Sequence, residues 1–150
     1  MRRPLVALSM LVLCGVGFAG EVTPVAGLVK RSAGEVTVER SGQLWAALVG
    51  TAVHVGDRVR TGDDGSVGIT LADDTLLTAG PRSTLLISDF RFNPTTHEGS
   101  LMATLLKGTL SVVTGLIARQ APDNVRFRTP TVVLGVRGTE FIVEARGGGE

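Results

Sequence analysis

Apolar and polar residues alternate in short runs along most of this chain, with turn-forming residues between the runs. Glu35-Val36-Thr37-Val38-Glu39 alternates as a half-buried strand does, and Ser66 to Leu71 puts Val67, Ile69 and Leu71 on one face. Val125 and Phe127 alternate with Arg126 and Arg128, as Phe141 and Val143 do with Glu140, Ile142 and Glu144. Ser83 to Phe90, Leu101 to Leu106 and Gly108 to Thr114 are further strands, rich in β-forming residues or wholly apolar. Turn clusters separate them: Ser41-Gly42, Gly56-Asp57, Gly62-Asp63-Asp64-Gly65, Ala72-Asp73-Asp74, Ala79-Gly80-Pro81, Lys107-Gly108 and Ala121-Pro122-Asp123-Asn124. Short strands spaced about 8–12 residues apart predict an all-β fold, a compact twisted sandwich or a short solenoid-like stack of short strands. Glu21 to Lys30 reads as a lead, Asn93 to Gly99 as a hairpin tip, and Gln43 to Val49 suits a turn of helix or a strand. Thr129 to Glu144 reads as a closing hairpin, two short apolar strands joined at Arg137-Gly138-Thr139. Gly-Thr pairs at Gly50, Gly108 and Gly138 open apolar runs at unequal spacing, so they mark no fixed repeat.

Composition narrows the class. With 150 residues, the chain is long enough for one domain with a real core. Aromatics are 4% and tyrosine is absent, so that core must be built from Val, Leu, Ile and Ala. The 20 glycines follow neither a collagen period nor a linker pattern and suit tight turns. The net charge of +1 includes Arg2 and Arg3 of an expected leader; without them 13 basic residues face 14 acidic ones. That balance carries no basic footprint for nucleic acid.

Residues 1–19 have the order of a secretory signal: Arg2 and Arg3, an uncharged apolar run from Leu5 to Phe18, then Gly17-Phe18-Ala19 before Gly20. The apolar run is shorter than the roughly 20 residues of a spanning helix, so cleavage is expected and no stable membrane span remains. Cys14, the single cysteine, follows Leu13 rather than a small residue, which disfavours lipidation. The mature chain then has no thiol chemistry and no Cys-based zinc site. The expected location is periplasmic or secreted.

Candidate chemistry is sparse. Asp57, Asp63, Asp64, Asp73 and Asp74 could supply oxygen ligands, but they lack the spacing of a calcium loop and suit turns, where Asp bonds nearby N–H groups. His54 and His97 are far apart, expected to be exposed, and form no helix-borne metal pair. No nucleophile elbow and no phosphate loop is present, so no catalytic residue, cofactor or metal is assigned. Arg126 and Arg128 share a strand face and could meet an anion, or pair across strands with Glu140 or Glu144. Trp45 could stack on a sugar, though it reads as a partly buried core edge. Arg137, set among apolar residues, is expected to find a carboxylate or carbonyls and pin its turn.

In order along the chain, Gly34-Glu35-Val36-Thr37-Val38 and Gly50 to Thr61 with Gly56-Asp57, then Ser66 to Leu71 with Asp73-Asp74-Thr75, resemble the FecR domain. So do Gly80 to Leu85, Leu106 to Leu110, Thr129-Pro130 and Val136-Arg137-Gly138-Thr139-Glu140-Phe141. The resemblance covers residues 29–145, followed by a flexible tail at 146–150, and Asp74 stands where the family usually has Gly. It implies an extracytoplasmic β-rich module in which Asp57, Asp73, Arg137, Gly138 and Thr139 belong to the structural motif. Best-known members relay a receptor's signal to a sigma factor through a spanning helix and a cytoplasmic segment. A leader starting at Met1 leaves only the extracytoplasmic half to carry over. The expected function is therefore non-enzymatic: binding another envelope protein, in signal transduction. The alternative is a small-molecule or glycan-binding domain of the envelope.

Overall fold

The computed structural model describes residues 24–136 and 138–147. The leader expected at 1–19, Arg137 and the end of the expected tail lie outside the described residues. The chain forms β1 (Val25–Ala33), β2 (Val36–Arg40), β3 (Gln43–Ala46), β4 (Ala52–His54), β5 (Arg58–Thr61) and β6 (Ser66–Leu71). These are followed by β7 (Leu76–Ala79), β8 (Thr84–Phe92), β9 (Gly99–Val113), α1 (Leu116–Gln120) and a 3-10 turn at Pro122–Asn124. β10 (Val125–Arg128), β11 (Val133–Gly135) and β12 (Glu140–Ala145) complete the chain. The fold is all-β, a single sheet curled into a half-barrel.

β9 is the shared strand of two sheet halves. One half runs β4-β1-β6-β7-β9-β12 and the other β3-β2-β5-β8-β9, continued by β10 and β11. Neighbouring strands are antiparallel except β10, which lies parallel to β9 after the chain crosses over through α1. The inward faces make one core: Val29, Ile69, Leu77 and Leu110 from the first half meet Leu85, Ile87, Leu101, Leu105 and Phe127 from the second. Each fully buried side chain of this size contributes roughly 1.5–3 kcal/mol. Ile117 of α1 is also fully buried. The helix is held by the β6–β7 turn: Asp73 O accepts from Leu116 N at 2.8 Å, and the buried Thr75 Oγ1 accepts from Gly115 N at 3.2 Å.

Three expectations are corrected. Lys107-Gly108 is not a turn between two strands but the bend within one 15-residue strand. Gly108 takes φ +95, so β9 leaves β8 and enters the β7–β12 ladder without stopping. Residues 25–30, read as a lead, belong to β1; its alternation is hidden by a bulge between Val29 and Arg31 and by Gly27 against Leu71. The closing hairpin does not form. β11 pairs with β10 and β12 pairs with β9, so the two consecutive strands end opposite halves of the sheet.

The β6–β7 turn keeps the left-handed geometry that the family meets with glycine, because Asp74 has φ +68. Asp74 is exposed and its carboxylate makes no hydrogen bond among the described residues. The left-handed penalty of about 1–2 kcal/mol exceeds the roughly 0.5–1 kcal/mol that glycine costs through the unfolded chain. Asp74→Gly is therefore expected to stabilise by about 0.5–1 kcal/mol and to raise Tm by roughly 2–4 °C. A melting curve with Tm unchanged or lowered would contradict this.

Candidate functional site

The unpaired ends of the two halves face each other across a cleft. β12 ends one half and β11 the other, and residues of α1 and the 3-10 turn also line the cleft. Two adjoining hollows make up the cleft. One, of about 500 Å³, is lined by Ala118, Arg119, Pro122, Asp123, Val136 and Thr139 among others. The other, of about 530 Å³, is lined by Asp123, Leu134, Gly135, Val136, Phe141 and Ile142. Phe127 and Phe141, from opposite halves, meet edge to face at 5.3 Å, a contact worth about 0.5–1.5 kcal/mol beyond burial.

Among the described residues, the outer edge of β12 pairs with no other strand. Thr114 N donates to Thr139 O at 2.8 Å, which sets the phase of the β9–β12 ladder. In an antiparallel pair, successive residues turn their backbone groups toward and away from the partner. Phe141 and Val143 therefore bond β9, while Glu140, Ile142 and Glu144 direct N–H and C=O outward. Ile142 is 71% exposed beside these free groups. The Gly138-Thr139 turn is tied down by Thr114, whose Oγ1 lies 3.4 Å from Gly138 O and 3.3 Å from Thr139 O.

The remaining candidates are scattered. Asp57 is fully buried and accepts from Arg40 Nε and Nη2, each at 2.6 Å, and from His54 N at 2.8 Å. The Arg40 pKa is raised, first by the hydrogen bond to Asp57 and then by its charge, against the lowering effect of burial. Asp73 is fully buried as well and accepts from Thr75 N at 3.1 Å and Thr75 Oγ1 at 2.8 Å, inside the turn that holds α1. His54 was expected to be exposed; instead its side chain is mostly buried, with Nδ1 4.0 Å from Asp57 Oδ2 and no hydrogen-bond partner. His97 is exposed at the β8–β9 hairpin tip and stacks with Phe92 at 6.0 Å.

Trp45 packs against the core, and the Arg40 guanidinium lies 5.0 Å from its ring centre. That leaves it a poor platform for a sugar. Arg126 and Arg128 are exposed on β10, whose neighbours are β9 and β11. Glu140 and Glu144 lie on β12, so they are not the cross-strand partners expected for these arginines. No group of three His, Cys, Asp or Glu able to hold a metal occurs among the described residues. The cleft itself was missed in the sequence, because its two walls come from strands that read as one hairpin.

The fold is an all-β domain in which β11 and β12 each keep one edge that pairs with no further strand among the described residues, on either side of the cleft. The FecR protein family matches residues 57–149, and the chain belongs to that family. It is a family of envelope-associated, signalling-related proteins. The match begins at Asp57, so β1 to β4 precede it although they share the sheet and core. A solved structure described as a cell surface anchoring domain is 32% identical over 41% of this chain and 82% of its own, with a TM-score of 0.39. No curated protein matches the chain. Among the described residues, no helix is long and apolar enough to cross a membrane.

Proposed function

We propose that this protein is a non-enzymatic, exported FecR module, residues 29–145, that binds another envelope protein in signal transduction by adding a partner strand to β12. The observation that carries the reading is the free edge of Glu140, Ile142 and Glu144 beside an apolar cleft. Backbone groups at such an edge supply affinity and the cleft receives alternate side chains. Glu140 and Glu144 guard the edge against indiscriminate pairing and favour a strand carrying Lys or Arg. Family membership supports an envelope setting, and the expected leader at 1–19 supports a periplasmic or secreted one.

Proline at position 142 tests this directly. Ile142 turns its N–H away from β9, so Ile142→Pro removes an edge donor without removing a ladder bond. Capture of a specific partner from periplasmic extract by the wild-type protein should be lost in Ile142→Pro, with Tm nearly unchanged. Undiminished capture by the folded variant would exclude pairing through β12.

A further inference from the structure

The half of the sheet ending in β11 has an outer face that strand addition at β12 leaves unused. Its register aligns Leu44, Glu39, Arg58 and Leu86 in one row, continued by Thr104, Arg128 and Val133. Cross-strand partners project on the same face, so this row crosses every strand of that half. A second row brings Arg60, Thr84 and Lys107 together. Arg58, Arg60 and Lys107 surround a shallow hollow of about 330 Å³ that also includes Thr84 and Leu106.

The charge on this face is one-sided. Its carboxylates already have arginines: Glu39 lies 3.1 Å from Arg60, and Asp89 lies 3.8 Å from Arg91. Arg58, Lys107, Arg126 and Arg128 make no ion pair among the described residues, although Glu39, already paired with Arg60, stands opposite Arg58. Arg58 and Arg128 are three strand spacings apart, about 14 Å at ~4.8 Å per strand. Both ends of the first row are apolar and open, with Leu44 60% and Val133 54% exposed.

We propose that this face binds a membrane surface carrying anionic lipid headgroups. Cations spread over a sheet face match a plane of phosphates better than a single bound anion, and the hollow can receive one headgroup. The apolar rims decide between a lipid surface and a soluble polyanion. A polymer would satisfy the arginines and leave Leu44 and Val133 in water, whereas an interface lets them enter the headgroup layer. Docking on this face leaves the β12 edge in the other half free to hold a protein partner.

The test is co-sedimentation of the purified protein with phosphatidylglycerol–phosphatidylcholine vesicles and with pure phosphatidylcholine vesicles, at low and high salt. Binding should require phosphatidylglycerol and weaken with salt. Arg58→Gln and Arg128→Gln should each weaken it about fivefold, and the pair roughly 25-fold, with Tm preserved. Leu44→Ser should weaken it as well, and Ile142→Pro should leave it intact, which separates this proposal from strand addition at β12. Equal binding to pure phosphatidylcholine, or full binding by the Arg58→Gln/Arg128→Gln variant, would overturn the proposal. So would binding to soluble polyglutamate or alginate without vesicle binding.

Discussion

Replacing Gly108 by alanine is expected to destabilise the protein by about 3–5 kcal/mol, lowering Tm by roughly 10 °C or more. Two independent costs add at this position. Gly108 has φ +95, a conformation that L residues rarely adopt. A Cβ there would also lie 2.5 Å from Ser83 Cα and 2.6 Å from Ser83 Cβ. Ser83 cannot retreat, being buried and held on several sides. Its N donates to Thr61 Oγ1 at 2.9 Å, and its Oγ accepts from Thr109 N at 3.0 Å. Thr61 Oγ1 in turn donates to Gly80 O at 2.6 Å, tying the corner to the β7–β8 connection. Gly138 supplies the control. Its φ is +100, but a Cβ there would meet nothing within 4 Å, so Gly138→Ala should cost only the conformational part, about 1–2 kcal/mol. Urea denaturation of both variants measures the difference; equal losses would mean that the approach of Gly108 to Ser83 does not limit the fold.

Arg40→Ala should be comparably damaging, at about 3–5 kcal/mol, because it leaves the Asp57 carboxylate buried without its counter-charge. The pairing is two-pronged, with both Asp57 oxygens engaged at 2.6 Å, and Asp57 also fixes His54 N. The loss should be asymmetric. The Arg40 side chain is 29% exposed and can turn to water when Asp57 is removed, whereas Asp57 has no such exit. Asp57→Asn in the Arg40→Ala background should therefore recover more than about 1 kcal/mol, since it removes the stranded charge and keeps an acceptor for His54 N. Strictly additive losses in that cycle would refute the account. The pH dependence follows from the raised Arg40 pKa. A raised folded-state pKa gives stability that is fully present below the unfolded arginine value and is lost as pH rises through the folded one. The contribution of Arg40 should accordingly stay flat through neutral and moderately alkaline pH.

Both sites show where reading the sequence stops. Lys107-Gly108 carries a true local signal, a residue able to take positive φ. That signal is the same for a turn that ends a strand and for a bend that lets one continue. The choice depends on whether β7 and β12 stand ready beyond the bend, which is a long-range matter. Asp57 was legible as a turn residue, but Arg40 as its partner was not, because the pair forms at the end of the β2–β5 ladder, between strands that are not consecutive in the chain. The cleft was hidden for a related reason. Two apolar runs around Gly138 look like a hairpin by every local criterion, yet each run finds a better partner already in place, β10 for one and β9 for the other.

The fold class, the short strands that alternate cleanly, such as Ser66–Leu71 and Val125–Arg128, the turns between them and the family are all readable from the residues alone. Alternation states which side of a strand is apolar, and that is a local property with a period of two. Which strands are neighbours, in what register, and which of them are left at an edge follows from long-range packing instead. Register aligned Arg58 with Arg128, 70 positions apart in the chain, and edge status freed the backbone of Ile142. Both depend on the packing of the whole curled sheet around one core, a free-energy balance that no short window of residues contains.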